Sequence, residues 1–223
     1  MSNRLIVIIL TSLFYIPAKG AGGGEYAVSK IAPALLKNAN AVLRLGEQRF
    51  EIMNPGKAVY RNHYVITILN ENGDDWAECA EYYDKFQKIG SIEGILYNAA
   101  GDQLKKIKTK DAEDLSGVAE SSLMDDHRLK RHNFYYRVYP YTIEYNIEIE
   151  YSSTLFFPKW VPQERELLSV EKSSMSIVSP PGYEFRYKTF NYTGTAVKSI
   201  EKDGKTATLW SAANMPAIVR EIY

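Results

Sequence analysis

With 223 residues, the chain is long enough for one large β domain or two small ones. Lysine plus arginine equals aspartate plus glutamate at 27 each, so no net positive field attracts nucleic acid, and we expect no nucleic-acid partner. Tyrosine is frequent at 17 residues, which favours strands because its ring fits a half-buried sheet surface. The single cysteine, Cys79, excludes a disulfide within the chain.

The first twenty residues have the pattern of a secretory signal peptide. Arg4 precedes an apolar run from Leu5 to Ile16, and small residues follow up to Gly20. This run is too short for a helix that spans a bilayer, which needs about 20 apolar residues. We therefore predict that residues 1–20 are removed on export. Residues 21–223 would then form a single domain in the periplasm or cell envelope that is not an integral membrane protein.

The next part of the chain predicts one short helix followed by strands. Ser29 is a candidate N-cap for a helical turn around Ile31 and Leu35. A turn at 54–57 then leads into the strand-like run "AVYRNHYVITIL". The segment "DDWAECAEYYDKF" at 74–86 fits a helical stripe as well as a strand, and we favour extended structure there.

Residues 91–111 predict a hairpin that turns at "NAAGD". Its second arm carries Lys105, Lys106 and Lys108, and lysine on an edge strand discourages pairing with other sheets. A long surface loop would follow, because "DAEDLSGVAESSLMDD" is small and polar.

The clearest pattern in the chain lies between Tyr141 and Tyr151. Apolar or aromatic residues alternate strictly with polar ones over this stretch, "YTIEYNIEIEY". Successive side chains of a strand point to opposite faces, so one face is buried and the other is wet. A helix would scatter the same side chains around its circumference and is therefore excluded.

Later strands are predicted at "LLSVEKSSMSIV", "YEFRYKTF" and "AVKSIEKDGKTATLW", the last with a hairpin turn at Asp203-Gly204. Short strands at this spacing, without long helices between them, indicate an all-β fold. We predict an antiparallel β-sandwich, immunoglobulin-like or larger, with one short N-terminal helix.

The segment "TLFFPKWVPQ" is the candidate interaction surface. Pro158 and Pro162 make a regular strand improbable, while Phe156, Phe157 and Trp160 supply three large rings. The rings either plug the open end of the sandwich or form a docking surface for a neighbouring domain, a sugar or a peptide.

Two groups of residues are candidates for a chemical site. Asp125, Asp126, His127 and His132 do not converge, because the histidines are five residues apart and the aspartates are neighbours. Cys79 would need a base and an electropositive setting to act as a nucleophile, yet its neighbours are acidic. We therefore expect no catalytic residue, no metal ligand and no cofactor.

Several long stretches resemble one family of bacterial domains. They include "ALLKNANAVLRL", "YYDKFQKIGSIEGILYNAAGDQLKKIKTKDAEDLS", "LMDDHRLKRHNF", "YPYTIEYNIEIEYSSTLFFPKWVPQ" and "LWSAANMPAIVREIY". Together they resemble the domain of unknown function 3857, which precedes transglutaminase-like domains in secreted envelope proteins of Gram-negative bacteria. The resemblance implies that the catalytic Cys, His and Asp of such proteins belong to the downstream domain, which this sequence lacks.

These observations predict a non-catalytic exported module that scaffolds, or presents substrate to, a transglutaminase-like domain or another envelope protein. One alternative is a glycan- or peptide-binding module of the cell envelope that uses Trp160 and the tyrosines. A further alternative is a hydrolase or acyl-transferase built from Cys79 and one histidine.

Overall fold

The computed structural model describes residues 24–116, 127–201 and 203–219. The described residues contain short 3-10 helices and one α-helix, α1 (Pro33–Leu36). They also form eleven strands: β1 (Ala41–Asn54), β2 (Lys57–Ile68), β3 (Glu78–Tyr83), β4 (Gln87–Tyr97), β5 (Gln103–Lys108), β6 (Glu113–Ser116), β7 (Arg128–Asn133), β8 (Tyr141–Tyr151), β9 (Leu168–Ser179), β10 (Val197–Ile200) and β11 (Thr206–Met215). The all-β prediction with a short N-terminal helix is confirmed.

The strands form a large sheet and a small one. The eight-stranded sheet has the order β10-β11-β9-β1-β2-β8-β4-β5, and the three-stranded sheet has the order β3-β7-β6. Neighbouring strands are antiparallel except β1 and β9, which run parallel from Ala41 opposite Leu168 to Glu51 opposite Val178. The large sheet is therefore mixed. The departure from a purely antiparallel arrangement comes from one long-range pairing.

The large sheet has two chemically different faces, which are clearest along strand β8. Its odd-numbered residues from Tyr141 to Ile149 belong to the main hydrophobic core. On the opposite face, Glu144 and Glu148 are only half-buried and Asn146 is exposed. We call the core side the inner face and the other side the outer face. The alternation between Tyr141 and Tyr151 thus predicted both the strand and its orientation.

The small sheet covers one half of the inner face. Cys79 of β3 and Phe134, just after β7, belong to the same core as Tyr145 of β8. His132 of β7 is joined to this strand directly, since its Nδ1 lies 2.6 Å from the hydroxyl oxygen of Tyr145. The two sheets therefore pack face to face as a sandwich with unequal layers.

Three hairpins occur where the sequence predicted them. The turn at 54–57 joins β1 to β2, and the turn at 98–102 joins β4 to β5. Asp203-Gly204 joins β10 to β11, with Gly204 at a φ of 80° in the left-handed region that suits glycine. The lysine-rich strand β5 also lies at an edge of the large sheet, as expected.

The strand at 183–190 and the N-cap at Ser29 were predicted wrongly, and the extended structure favoured for 74–86 is confirmed only in part. Residues 183–190 were predicted as a strand but contain none, because this stretch lies across the inner face instead of pairing at an edge. Within 74–86, only Glu78–Tyr83 is extended. The preceding stretch Glu71–Ala77 is a 3-10 helix whose N-cap, Asn70, accepts a hydrogen bond from the Asn72 amide. Ser29 lies in a separate 3-10 turn, and the N-cap of α1 is Ala32.

We predict that Ile143→Ala lowers the free energy of unfolding by about 2–5 kcal/mol, because Ile143 is fully buried on the inner face. Asn146→Ala, on the outer face of the same strand, is the matched control and should change it by less than about 0.5 kcal/mol. Urea denaturation followed by tryptophan fluorescence measures both values. Equal losses in the two variants would contradict the assignment of the faces.

Candidate functional site

The second half of the inner face is covered by coil. Residues 152–167 and 180–196 lie over strands β1, β9 and β11, and we call these two segments the aromatic cover. Their half-buried rings pack against the main core: Trp160, Tyr183, Phe185 and Tyr192. Pro158 and Pro162 interrupt the first segment, because proline has no backbone N–H to donate to a strand ladder.

Two of the three predicted contact residues contact the rest of the sandwich, although Phe157 is still 36% exposed. The ring of Phe157 lies 5.1 Å from the ring of Phe50 on β1. The indole Nε1 of Trp160 donates a hydrogen bond to the Ser173 hydroxyl at 3.0 Å, which satisfies its polar atom inside an apolar setting. Both rings therefore close the sandwich, which is the first of the two roles considered for them.

The third residue, Phe156, points outward and is 78% exposed. Leu155 beside it is 81% exposed, and in the other segment Phe190 is 74% exposed. Tyr187 is 53% exposed although its ring lies 4.8 Å from that of Trp210. Single exposed apolar side chains are ordinary, but several on one cover indicate a contact surface.

The structure brings Cys79 and a histidine together, which the sequence could not show. Cys79 and His132 are directly opposite each other in the antiparallel pair β3–β7. Burial, with a smaller contribution from the charge of Glu81, raises the pKa of the Cys79 thiol to about 12. Burial also lowers the pKa of His132. Both groups are therefore uncharged at neutral pH, which does not favour a thiolate–imidazolium pair.

The two histidines considered as metal ligands lie in different environments. His132 is buried between the sheets, whereas His127 is exposed and its Nε2 lies 3.7 Å from an oxygen of Asp84. Asp125 and Asp126 lie outside the described residues, as does the predicted leader 1–20. Within the described ranges, no group of three or more His, Cys, Asp or Glu side chains is placed to hold a metal ion.

A groove of about 390 Å³ lies at the end of the sandwich that carries the 3-10 helix Glu71–Ala77. Several of its charged groups have partners within the chain. Asp74 accepts hydrogen bonds from the Tyr139 hydroxyl at 2.7 and 2.8 Å, and Glu78 accepts one from Arg131 at 2.9 Å. The Arg165 guanidinium lies 4.9 Å from the centre of the Trp76 ring. These contacts tie the connection before β8 to the helix, so we assign the groove a structural role.

The outer face carries a histidine that the sequence analysis did not single out. Nε2 of His63 lies 2.8 Å from Glu144, whose other carboxylate oxygen accepts a hydrogen bond from the Tyr97 hydroxyl at 2.5 Å. The hydrogen bond to Glu144 raises the pKa of His63, and the same contact lowers the pKa of Glu144. His63 and Glu144 are a base and an acid in direct contact. Their strands, β2 and β8, are neighbours in the sheet, so the contact has the geometry of a cross-strand ion pair.

Comparison with known families identifies the family to which this chain belongs. Residues 54–219 match the family described as a domain of unknown function with solved structure, DUF3857. No curated protein matches the chain. None of the helices in the described part of the chain is long and apolar enough to cross a membrane.

The fold is similar to that of a solved structure. That structure is a "putative protease" from Parabacteroides distasonis ATCC 8503, with a TM-score of 0.67 at 17% sequence identity. The similarity covers 82% of this chain but 37% of the Parabacteroides protein, so the fold forms only a part of that longer protein. An M1 zinc metallopeptidase from Deinococcus radiodurans has a TM-score of 0.34 at 6% identity over 77% of this chain and 39% of its own, and we draw nothing from it.

We predict that iodoacetamide does not modify Cys79 in the native protein at pH 8. A pKa of about 12 leaves about one thiolate in ten thousand at that pH, and the side chain is buried. The protein unfolded in guanidinium should react readily, which mass spectrometry detects. Native labelling as fast as labelling of the unfolded chain would show an accessible thiolate and revive the hydrolase alternative.

Proposed function

Because the chain belongs to the DUF3857 family, whose function is unknown, we propose on physical grounds that it is a non-catalytic module of an exported protein. In this proposal the outward rings of the aromatic cover bind a neighbouring protein domain in the cell envelope. The resemblance noted in the sequence suggests a transglutaminase-like domain as that neighbour. The module would hold such a domain in place or help to present substrate to it.

The exposed side of the aromatic cover carries this proposal. Leu155, Phe156 and Phe190 each leave most of their apolar surface in water, although the same coil segments bury other rings against the core. Burying a phenylalanine side chain contributes about 1.5–3 kcal/mol, so even a few such rings would support specific binding.

The chemistry between the sheets supports a role without catalysis. The Cys79 thiol and His132 imidazole are uncharged, and Glu81 on the same strand has a pKa raised to about 7 by burial. A cysteine nucleophile reacts as the thiolate, and burial together with the charge of Glu81 opposes formation of the thiolate at Cys79. The similarity to the Parabacteroides structure supports a modular role as well, because there the fold is one part of a longer chain.

We predict that Phe190→Ser weakens binding to a purified transglutaminase-like domain encoded in the same genome by at least about tenfold. Isothermal titration calorimetry measures the affinity, and circular dichroism checks the fold, which should be unchanged because Phe190 is largely exposed. Leu104→Ser is the matched control, since Leu104 is also exposed but lies on β5 at the opposite edge of the large sheet.

Wild-type affinity in the control and reduced affinity in Phe190→Ser would support the proposal. Equal affinity in all three proteins would exclude the aromatic cover as the contact. Absence of binding by the wild-type chain would reject this partner domain.

A further inference from the structure

Three chain segments meet at one end of the large sheet. The turn at 54–57 joins β1 to β2, the turn at 84–86 joins β3 to β4, and residues 152–156 follow β8. The amide of Ser152 donates to the carbonyl of Phe86 at 2.9 Å, and the amide of Thr154 donates to the carbonyl of Pro55 at 3.2 Å. These hydrogen bonds hold the three segments side by side.

A recess of about 220 Å³ lies between these segments, and three lysines line it. We call it the lysine pocket, and its cations are Lys57, Lys85 and Lys88. Glu150, directly opposite Lys88 in the β4–β8 pair, is the carboxylate in its lining. Three positive charges against one negative charge leave the recess cationic.

The three lysines of the lysine pocket make no ion pair with a described carboxylate, as is also true of Lys105 and Lys108 but not of every lysine in the chain. Lys106, Lys130 and Lys205 each lie within 3.2 Å of a carboxylate oxygen. Among the described residues, no carboxylate lies within ion-pair distance of the three lysines in the pocket. Their charge is therefore available to an external anion, whereas the Ser152 hydroxyl in the same lining donates its hydrogen bond to the Phe86 carbonyl.

Exposed apolar side chains lie in or next to the chain segments that form this cationic recess. Phe86, which lines it, is 54% exposed. Leu155 and Phe156 follow Thr154 directly, and Met53 precedes the turn at 54–57, and all three are exposed. Lysines with apolar side chains at neighbouring loop tips match the two parts of a phospholipid surface, which are anionic head groups and the acyl boundary beneath them.

We propose that this end of the molecule docks onto an anionic phospholipid surface. The lysine pocket receives a head-group phosphate, while Phe86, Leu155 and Phe156 enter the interfacial layer. A free phosphate ion would use the lysines but would leave the apolar loop tips in water. The membrane surface therefore accounts for both halves of the observation.

Leu155 and Phe156 belong both to this surface and to the proposed partner surface, whereas Phe190 and the three lysines each belong to one of them and so separate the two proposals. Phe190 belongs to the aromatic cover and not to the lysine pocket, and the three lysines belong to the pocket and not to the cover. Phe156 lies at the border of the two surfaces. A module could use one surface for its partner and the other to stay at the membrane.

The test uses the chain purified in its exported form and vesicles of phosphatidylcholine with and without phosphatidylglycerol. Each lysine near an anionic surface strengthens binding about fivefold, so three contribute about a hundredfold. We predict that the triple variant Lys57→Gln, Lys85→Gln, Lys88→Gln loses about this factor on phosphatidylglycerol vesicles in cosedimentation. The matched control is Lys105→Gln, Lys106→Gln, Lys108→Gln, which removes the same charge from edge strand β5 and should bind nearly as the wild type.

A second variant, Phe86→Ser with Phe156→Ser, separates the lipid surface from a free anion. We expect it to lose vesicle binding while still binding inorganic phosphate as the wild type does. Phosphate binding without vesicle binding in the wild-type chain would overturn the proposal in favour of a soluble anion. Equal losses in the two lysine variants would also overturn it, because they would show attraction by net charge alone.

Discussion

The large sheet has an apolar inner face that is wider than the small sheet packed on it, and this mismatch governs the rest of the structure. Three strands, β3, β7 and β6, can cover the region around β8, where Tyr145 bonds to His132. The inner sides of β1, β9 and β11 still have to be shielded from water, because Phe50, Met175 and Trp210 point into that space. The aromatic cover shields them. Its large rings allow two irregular segments to cover the area that a layer of strands would otherwise cover.

Because the cover consists of coil, it exposes large apolar side chains. Strands present alternate side chains to the core and to solvent, but coil segments that span the same width expose whole rings at their bends, as Phe156 and Phe190 are exposed. The outer face is polar and needs no covering layer, since ion pairs such as that of Arg61 with Glu148 connect its strands. The exposed apolar rings therefore lie on the side of the sandwich that is covered by coil. The lysine pocket lies at the end of the sheet where the first segment of the cover follows β8.

Local periodicity predicted much of this fold, and tertiary pairing accounts for what it missed. The alternation from Tyr141 to Tyr151 gave the strand, its bounds and its buried face, because both neighbours of β8 enforce the same two-residue repeat. The same alternation at 183–190 gave a wrong strand, since no neighbouring strand accepts that segment. The pairing of Cys79 with His132 joins residues 53 positions apart in a register that neither local stretch encodes. The lysine pocket combines three separate turns, and the sequence showed it only as scattered lysines.

The central claim is that coil, and not a further strand, completes the inner layer over β9 and β11. Native-state hydrogen exchange followed by mass spectrometry tests it most directly. We predict that amides within 183–190 exchange rapidly, because they make no ladder hydrogen bonds. Amides of β9, which lies between two neighbouring strands, should exchange slowly. Protection of 183–190 equal to that of β9 would mean that this segment pairs as a strand, and the account would be contradicted.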